Sequence, residues 1–399
     1  MDEARAQPAI RTAKHARWRG PARSPACSAA RGVEHRLLLG QMMSNHVELV
    51  DARGAEAEAI WRTLQHTTRP AYFLTWGWMS TWLALLPSDE VPMLAVIRDA
   101  GEVTGAFFLR RRRLVRHRVV ASRAAFVNAT GLAAYDELCL EHNAILGAGC
   151  SLAQLVARLP ADWDELFLPA VDRAAFTDLA VPAGFRVRIE QEVASPFVDL
   201  AKVRAAGDYL TLLSANTRSQ IRKARRRIGP CELEVAASYP EAMAIYDELV
   251  QLHAASWSAR GEPGAFADPW FDRFHRRLIA QRWSHGEIQL VRLRAGAATV
   301  GCLYNLVADG RIAFYQSGLA SSADPAIKPG LLCHAAAIEQ AAAAGHESYD
   351  LLAGNARYKA SLATDATQLA WLCVQREHLR FALEDRVRGW KHAIAGVFA

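Results

Sequence analysis

VGCLYNLVADGRIAFYQSGLA, residues 300–320, is two apolar runs joined by Asp309-Gly310, a dipeptide suited to the positive backbone angles of a tight hairpin turn. A third run at 288–293 precedes it across Gly296. Strands over 288–293, 298–307 and 311–318 therefore form a meander. Toward the C-terminus the period changes: Leu331, Ala335, Ile338 and Ala342 recur at helical spacing and predict a helix over 331–344. A short strand at 348–352, a polar loop to Leu362, a strand at 368–374 and a helix near 377–395 follow. Toward the N-terminus the pattern gives a strand at 232–236 and helices at 241–255 and 269–283. Two helices, a meander, then a helix feeding another strand is not the alternation of a doubly wound nucleotide fold; it specifies an α+β chain with a mixed sheet.

The stretch YLTLLSANTRSQIRKARRRI, 209–228, places Leu213, Thr217, Ile221, Ala224 and Ile228 on one helical stripe and Arg218, Arg222 and Arg225 on another. Gly229-Pro230 ends it, since proline cannot continue the hydrogen-bond ladder. Before this helix a first unit spans about 47–200. It opens with a helix at 55–66 and an aromatic run, Phe73, Trp76, Trp78 and Trp82, whose spacing suits a buried face. A hairpin of 91–98 and 103–109 leads into the charge run Arg110–Arg113 and a strand at 114–121. Helices at 135–146 and 152–159 and a strand at 165–168 complete it. The predicted organisation is a basic tail at 1–44, a domain at 45–205, a basic linking helix at 206–230 and a domain at 231–399.

With 51% hydrophobic and 22% charged residues in 399, the chain has the balance of a protein that buries a real core. Its net charge of +6 is concentrated: residues 1–46 hold eight Arg and Lys against three acids, and the rest is nearly neutral. This removes the nucleic-acid reading that the overall charge invites. The opening segment lacks an apolar period and reads as disordered, and Met42-Met43 offers a plausible translation start. No run of 18 apolar residues and no signal-like h-region are present, so a cytoplasmic location is expected. The seven cysteines stand singly, without metal-site spacing. Nucleophile-elbow, Walker and H-E-x-x-H motifs are also missing, which leaves hydrolase, ATPase and metalloprotease readings without support.

Four segments, in order, carry a resemblance: RSQIRKARR at 218–226, the meander at 300–320, KPGLLCHAAAIEQAAAAG at 328–345 and YDLLAGNARYKASL at 349–362, with YFLTWGWMSTWL at 72–83 as a looser match. They resemble the GNAT-type acetyltransferases of cellulose and exopolysaccharide biosynthesis, the CelD/BcsL-like kind, related in fold to FemAB-like aminoacyl transferases. The resemblance implies tandem GNAT-like mixed-sheet domains. It also implies a splayed sheet in which the pantetheine arm of an acyl thioester lies between two parallel strands while an amine or hydroxyl attacks the acyl carbon. The donor so implied is acyl-CoA or an acyl carrier protein, used as a co-substrate with no tightly bound cofactor and no metal. The acceptor is a small molecule, saccharide or amine. Two alternatives are a FemAB-like transferase fed by aminoacyl-tRNA and a non-catalytic scaffold in polysaccharide synthesis.

In the best-known relatives a glutamine- or arginine-led glycine loop holds the donor's pyrophosphate; here the turn offers Lys328, Pro329 and Gly330. Free N–H groups opening the next helix, with Lys328, suit an anion, and Gly330 permits close approach, although Pro-Gly is also an ordinary helix start. After the strand ending near Asp350, the residues Asn355, Arg357, Tyr358 and Lys359 crowd polar chemistry beside Gly354. Tyr358 is placed to protonate a leaving thiolate and Lys359 to hold a phosphate or carboxylate; the bland account is a capped turn with Tyr358 packed in the core. A strand N–H near Gln316–Gly318 is the candidate for polarising the thioester carbonyl, with His334, Glu339 or Asp350 as proton route. Tyr304, Asn305, Tyr315 and Gln316 are candidates to line the cleft, though strand alternation forbids all four from facing it. Cys302 and Cys333 read as buried, inert thiols. Arg218, Arg222 and Arg225 are the candidates for capturing the donor's phosphates.

Overall fold

The computed structural model describes residues 47–116, 120–138, 140–147, 149–176 and 178–384; the expected basic tail, the Met42-Met43 start and most of the expected last helix lie outside them. The chain runs β1 (Glu48–Asp51), α1 (Ala55–Thr68), α2 (Trp76–Leu85), β2 (Met93–Asp99), β3 (Glu102–Arg116), β4 (Val120–Val127), α3 (Ala133–Asp136), β5 (Leu146–Gly147), α4 (Leu152–Arg158), β6 (Glu165–Asp172) and β7 (Phe185–Asp199). It continues with α5 (Leu200–Ala206), α6 (Ala215–Ile228), β8 (Glu232–Val235), α7 (Tyr239–Ser258), α8 (Pro269–Arg282), β9 (Ile288–Ala295), β10 (Ala298–Ala308), β11 (Arg311–Leu319), α9 (Pro329–Ala343), β12 (Ser348–Asp350), α10 (Arg357–Leu362) and β13 (Asp365–Arg376).

All the strands join one mixed sheet in the order β1-β2-β3-β4-β6-β13-β7-β12-β11-β10-β9-β8, with β5 beside β3. The path reads the same from either end. A four-strand antiparallel run reaches a parallel pair, β4 with β6 or β11 with β12, and the two runs meet at the long antiparallel ladder of β7 and β13. The halves thus repeat one plan but exchange strands. β13, expected within the C-terminal domain, lies between β6 and β7 of the first half, and β7, absent from the sequence reading, pairs with β12 of the second. One sheet therefore runs through both sides of the boundary expected at 206–230. A shared core adds to this continuity: Trp78 of α2 packs edge-on against Phe274 of α8, with ring centroids 4.8 Å apart.

Two sequence readings are corrected. The four arginines do not cross a hairpin end, because β3 runs through them to Arg116 and the next strand is 120–127. Their alternate placement and acidic neighbours allow this: Arg111 pairs with Asp162, and Arg110 and Arg112 with Glu90. The helix expected at 135–146 reduces to the single turn of α3. Asp136 caps the preceding loop, accepting from Thr130 N, Thr130 Oγ1 and Gly131 N at 2.8, 2.8 and 2.7 Å, and the chain then turns into the sheet. Burial lifts the Asp136 carboxyl to about 6, against the pull of these bonds.

At the end of β3 the Arg116 guanidinium forks between two buried carboxylates, 2.7 and 3.0 Å from Glu165 and 2.9 and 3.0 Å from Glu384. Gln375 of β13 donates to the same Glu165 at 2.8 Å.

At Gly318 in β11 the backbone of α7 crosses close to the sheet. A Cβ there would stand 2.3 Å from the Leu249 carbonyl oxygen and 2.8 Å from its Cα. Gly318→Ala is expected to destabilise by about 1–3 kcal/mol, since helix backbone and not a flexible side chain must move. Thermal unfolding checks this: a variant melting with the parent would mean that α7 does not rest on this position.

Candidate functional site

The two parallel pairs are where each half can open, because parallel neighbours that diverge leave unpaired strand edges facing a gap. In the first half β4 and β6 pair over Ala124–Phe126 and then part. The gap is filled by residues 143–147. Asn143 forms a parallel bridge with Val171, its N–H donates to Ala170 O at 3.0 Å and its side chain to Val127 O at 3.2 Å. Buried Asn128 completes the plug, donating to Asn143 Oδ1 at 2.8 Å and Ala144 O at 2.9 Å. A concavity of about 260 Å³ between Arg111, Arg113, Arg123 and Trp163 lies elsewhere on this half.

The second half is different. β11 and β12 pair only from Arg311–Ser348 to Ala313–Asp350. Beyond that the chain after β12 follows β7, with Leu351 N donating to Pro196 O at 3.0 Å and Gly354 N to Ala194 O at 3.1 Å. At the same level β11 bulges. Tyr304 of β10 faces Gln316 and Asn305 faces Phe314, leaving Tyr315 as the extra residue. Tyr304, Tyr315 and Gln316 thereby share the face covered by α7 and α8, while Asn305 and Phe314 turn to the α9 face. Strict alternation would not place Tyr315 and Gln316 together.

On the α9 face, α9 begins at Pro329 with no side-chain cap, so the first N–H groups of its first turn have no side-chain partner. Lys328 stands at its N-cap position, and Gly330 lies against Leu319. Behind α9 packs α6, its stripe of Thr217, Ile221 and Ala224 buried, with Leu213 buried just before it. Arg225 holds Glu339 at 2.8 Å and Arg222 approaches Asp208 at 3.6 Å, whereas Arg218 forms no ion pair among the described residues. Glu339, a candidate proton route, is thus engaged as the partner of Arg225.

His334 also lies on this face, fully buried, with Nδ1 3.2 Å from the Tyr349 hydroxyl and its ring stacked on Tyr358 at 5.6 Å. Burial, then the charge of Lys359, depresses this imidazole to about 3. That setting suits a packed histidine, and nothing in the geometry supports the proton-transfer role considered for it. Tyr358 is half-buried, its phenol raised far above the usual range by burial. Asn355 is exposed. Lys359 donates to Leu352 O at 3.1 Å and Ala353 O at 2.8 Å, clamping the turn after β12.

The opposite face carries Asp350, because Tyr349 before it points into the α9 cluster and strand side chains alternate. Around it gather residues that the sequence reading missed. His142 Nε2 lies 2.9 Å from Asp350 Oδ2, and Ser195 Oγ and Leu352 N lie 3.3 and 2.7 Å from Oδ1. Buried Glu141 accepts from Ala353 N at 2.6 Å, and burial, only partly offset by Lys359, raises its carboxyl. Nearby, Tyr315 donates to Leu138 O at 2.9 Å and meets His275 Nε2 at 3.1 Å. His275 is buried and held neutral, its pKa pushed well down by desolvation. Tyr315 therefore ties Leu138 to the second half. In sequence Glu141 and His142 sat inside an expected helix 208 residues from Asp350, so no spacing could join them.

Gln316 and Gly318 take less definite places. Gln316 borders the splay, while the space over Gly318 on the α7 face is taken by that helix. Cys302 and Cys333 are buried, which lifts the Cys302 thiol to about 12 and raises Cys333 as well. Among the described residues no group of three or more His, Cys, Asp or Glu is placed to hold a metal, and no helix is long and apolar enough to cross a membrane.

Residues 214–360 match the model of a family described as an acetyltransferase (GNAT) domain, a match spanning less than half of the chain. No curated protein matched in sequence. Among solved structures, a conserved protein of unknown function from Bacteroides thetaiotaomicron shares the fold, with a TM-score of 0.51 at 13% identity over 83% of this chain and 100% of that one. Two others are similar at lower scores. FemX has a TM-score of 0.48 at 8% identity over 77% and 93% of the two chains. A tandem GNAT protein from the clavulanic acid biosynthesis pathway has 0.41 at 15% over 82% and 98%. The acetyltransferase domain supports enzymatic acyltransferase activity on an α+β GNAT-like mixed sheet.

Proposed function

We propose that the chain transfers an acyl group from a CoA or carrier-protein thioester to an amine or hydroxyl acceptor, at the splay between β11 and β12. The observation that carries this reading is the contrast between the two splays: the first is plugged by Asn128 and Asn143, while the second diverges beside a β-bulge. The second splay also lies within the segment that matches the acetyltransferase domain. The unpaired edge of β11 offers a pantetheine arm the backbone partners of a missing strand. The first turn of α9 with Lys328 suits the donor's phosphates, and Tyr358, whose ring lies on His334 at the α9 face, is the group assigned to protonate the departing thiolate. A saccharide or amine acceptor and a cytoplasmic setting complete the proposal.

The same geometry tempers the role of the basic helix. With Arg225 on Glu339 and Arg222 near Asp208, two of the three arginines considered for donor capture already have acidic neighbours, and exposed pairs of this kind are worth at most about 1 kcal/mol. Changing Arg218, Arg222 and Arg225 together to glutamine is expected to weaken acetyl-CoA about fivefold at low salt, with kcat unchanged and the deficit fading as salt rises. Calorimetric titration with acetyl-CoA at two ionic strengths tests both statements. No binding by the parent chain, with turnover of aminoacyl-tRNA abolished by ribonuclease, would replace the thioester donor by tRNA. Equal affinity of parent and triple variant at low salt would remove α6 from donor capture.

A further inference from the structure

The second splay has a cluster of titratable groups on the face away from α9, and two of them, Glu141 and His142, come from the other half of the chain. We infer that His142, oriented by Asp350, takes the proton from the acceptor at the β11–β12 splay, so that the first half supplies a catalytic residue to the second. This rests on the acyl-transfer reading.

Four observations carry it. The first is orientation. Asp350 Oδ2 receives Nε2 at 2.9 Å, while its Oδ1 is held by Leu352 N at 2.7 Å and Ser195 Oγ at 3.3 Å. The carboxylate is fixed, so it holds the proton of the neutral ring on Nε2 and leaves the lone pair on Nδ1. That nitrogen has no hydrogen bond among the described residues. The second is access: the two side chains keep 19% and 21% of their surface exposed, enough for an acceptor to reach them, unlike His275 or His334.

The third is backbone conformation. His142 has φ 51° and Leu352, across from it, φ 61°. The left-handed region is uncommon for such residues and is retained where surrounding contacts impose it, often at functional sites. Here those contacts are Glu141 on Ala353 N, Lys359 on Leu352 O and Ala353 O, and Asp350 on Leu352 N. The fourth is placement. Asp350 and Tyr358 lie on opposite faces of the sheet, so a thioester crossing the splay would meet a proton acceptor on one side and a donor on the other.

The step balances. As the acceptor's lone pair attacks the acyl carbon, its N–H or O–H proton moves to His142 Nδ1. The tetrahedral adduct then collapses with cleavage of the C–S bond, and the thiolate takes the Tyr358 hydroxyl proton. Acylated acceptor and free thiol leave, and exchange with water restores both side chains.

The groups facing His142 are Asp350 from β12, Glu141 from its own loop and Asp172 from β6, with Lys359 of α10 beyond Glu141. Burial alone would lower the imidazole. The hydrogen bond and charge of Asp350, followed by Glu141 and Asp172, outweigh it and raise the pKa above the ordinary value. A base must be unprotonated to act, so the rate should climb with pH through this raised value.

The test measures thiol release from acetyl-CoA across pH, in water and with glucosamine as acceptor probe, for the parent, His142→Gln and Asp350→Asn. The expected result is about a 100-fold loss in His142→Gln with its rising limb gone and acetyl-CoA affinity retained. In Asp350→Asn the rising limb should move to lower pH, a shift that a merely structural role would not produce. Acetyl-CoA binding with thiol release independent of His142 overturns this inference and leaves the donor reading standing. Absence of acetyl-CoA binding overturns the CoA donor, and this inference with it. Should His142→Gln fail to fold, an unmoved limb in Asp350→Asn overturns the inference by itself.

Discussion

Arg116→Met is expected to remove about 3–5 kcal/mol of stability at neutral pH, the loss characteristic of breaking a buried ion network by deleting one partner. The reason is asymmetry. Arg116 keeps 18% of its side-chain surface, whereas Glu165 and Glu384 keep 1% and 3%. Methionine fills much of the volume but withdraws the guanidinium that the two buried carboxylates share. The two acids hold the Arg116 guanidinium more firmly protonated than usual, against the opposing pull of burial, which is the same coupling seen from its other side.

The sign of the pH dependence follows. Buried carboxylates that lose a shared cation favour their protonated forms in the folded state more than before, so the variant's deficit should be largest above the carboxylate range and shrink as pH falls into it. Denaturant unfolding of parent and variant at pH 7 and pH 4.5 reads this directly. Equal deficits at the two pH values would mean that lost packing, not unbalanced charge, sets the effect. Because Glu165 opens β6 and Gln375 closes β13, the same substitution should loosen the centre of the sheet first.

Tyr358→Phe is expected to lower kcat for thiol release about 100- to 1,000-fold while leaving acetyl-CoA affinity within about threefold. The ring packs on His334 at 5.6 Å and 22°, and phenylalanine preserves that stack, so the fold should not register the change. Only the hydroxyl is lost. Burial holds the phenol protonated well past neutral pH, so the parent should show no descending limb from Tyr358 below about pH 10. A kcat within threefold of the parent would return Tyr358 to a packing role. A fall in melting temperature of several degrees alongside lost activity would point the same way.

The readable parts of the sequence were those in which local pattern and final position agree. Alternation and Asp309-Gly310 gave β9–β11 nearly to the residue, and the 3.6-residue period gave α1, α6, α8 and α9. Residues 368–374 were read correctly as a strand, but a period of two says nothing about which neighbours a strand chooses. β13 is buried from Leu369 to Gln375 apart from Trp371, and its address among β6 and β7 is a long-range fact. β7 was missed because its first half, FRVRIEQE, carries charges on alternate positions and has no fully buried residue, with Glu190 and Glu192 exposed. The candidate site divides along the same line. Asp350, Tyr358 and Lys328 follow strand or helix ends, where loops announce themselves. His142 and Glu141 sit in a stretch whose composition favours helix and whose meaning depends on contacts with residues 350–353.

The central ladder also governs when the protein can be finished. β6 and β7 are made early, yet between Phe185 and Phe197 β7 has β13 as its neighbour on one side, and β13 is synthesised about 170 residues later. Until then both strands present open edges in a chain still being extended, the condition under which sheets pair with the wrong partner or with another molecule. Closure must also bring together segments far apart in sequence, which makes it slow. A nascent or truncated chain ending before Asp365 should accordingly hold its outer meanders but expose the middle. Such a chain would depend on chaperone cover at that one seam rather than over its whole surface.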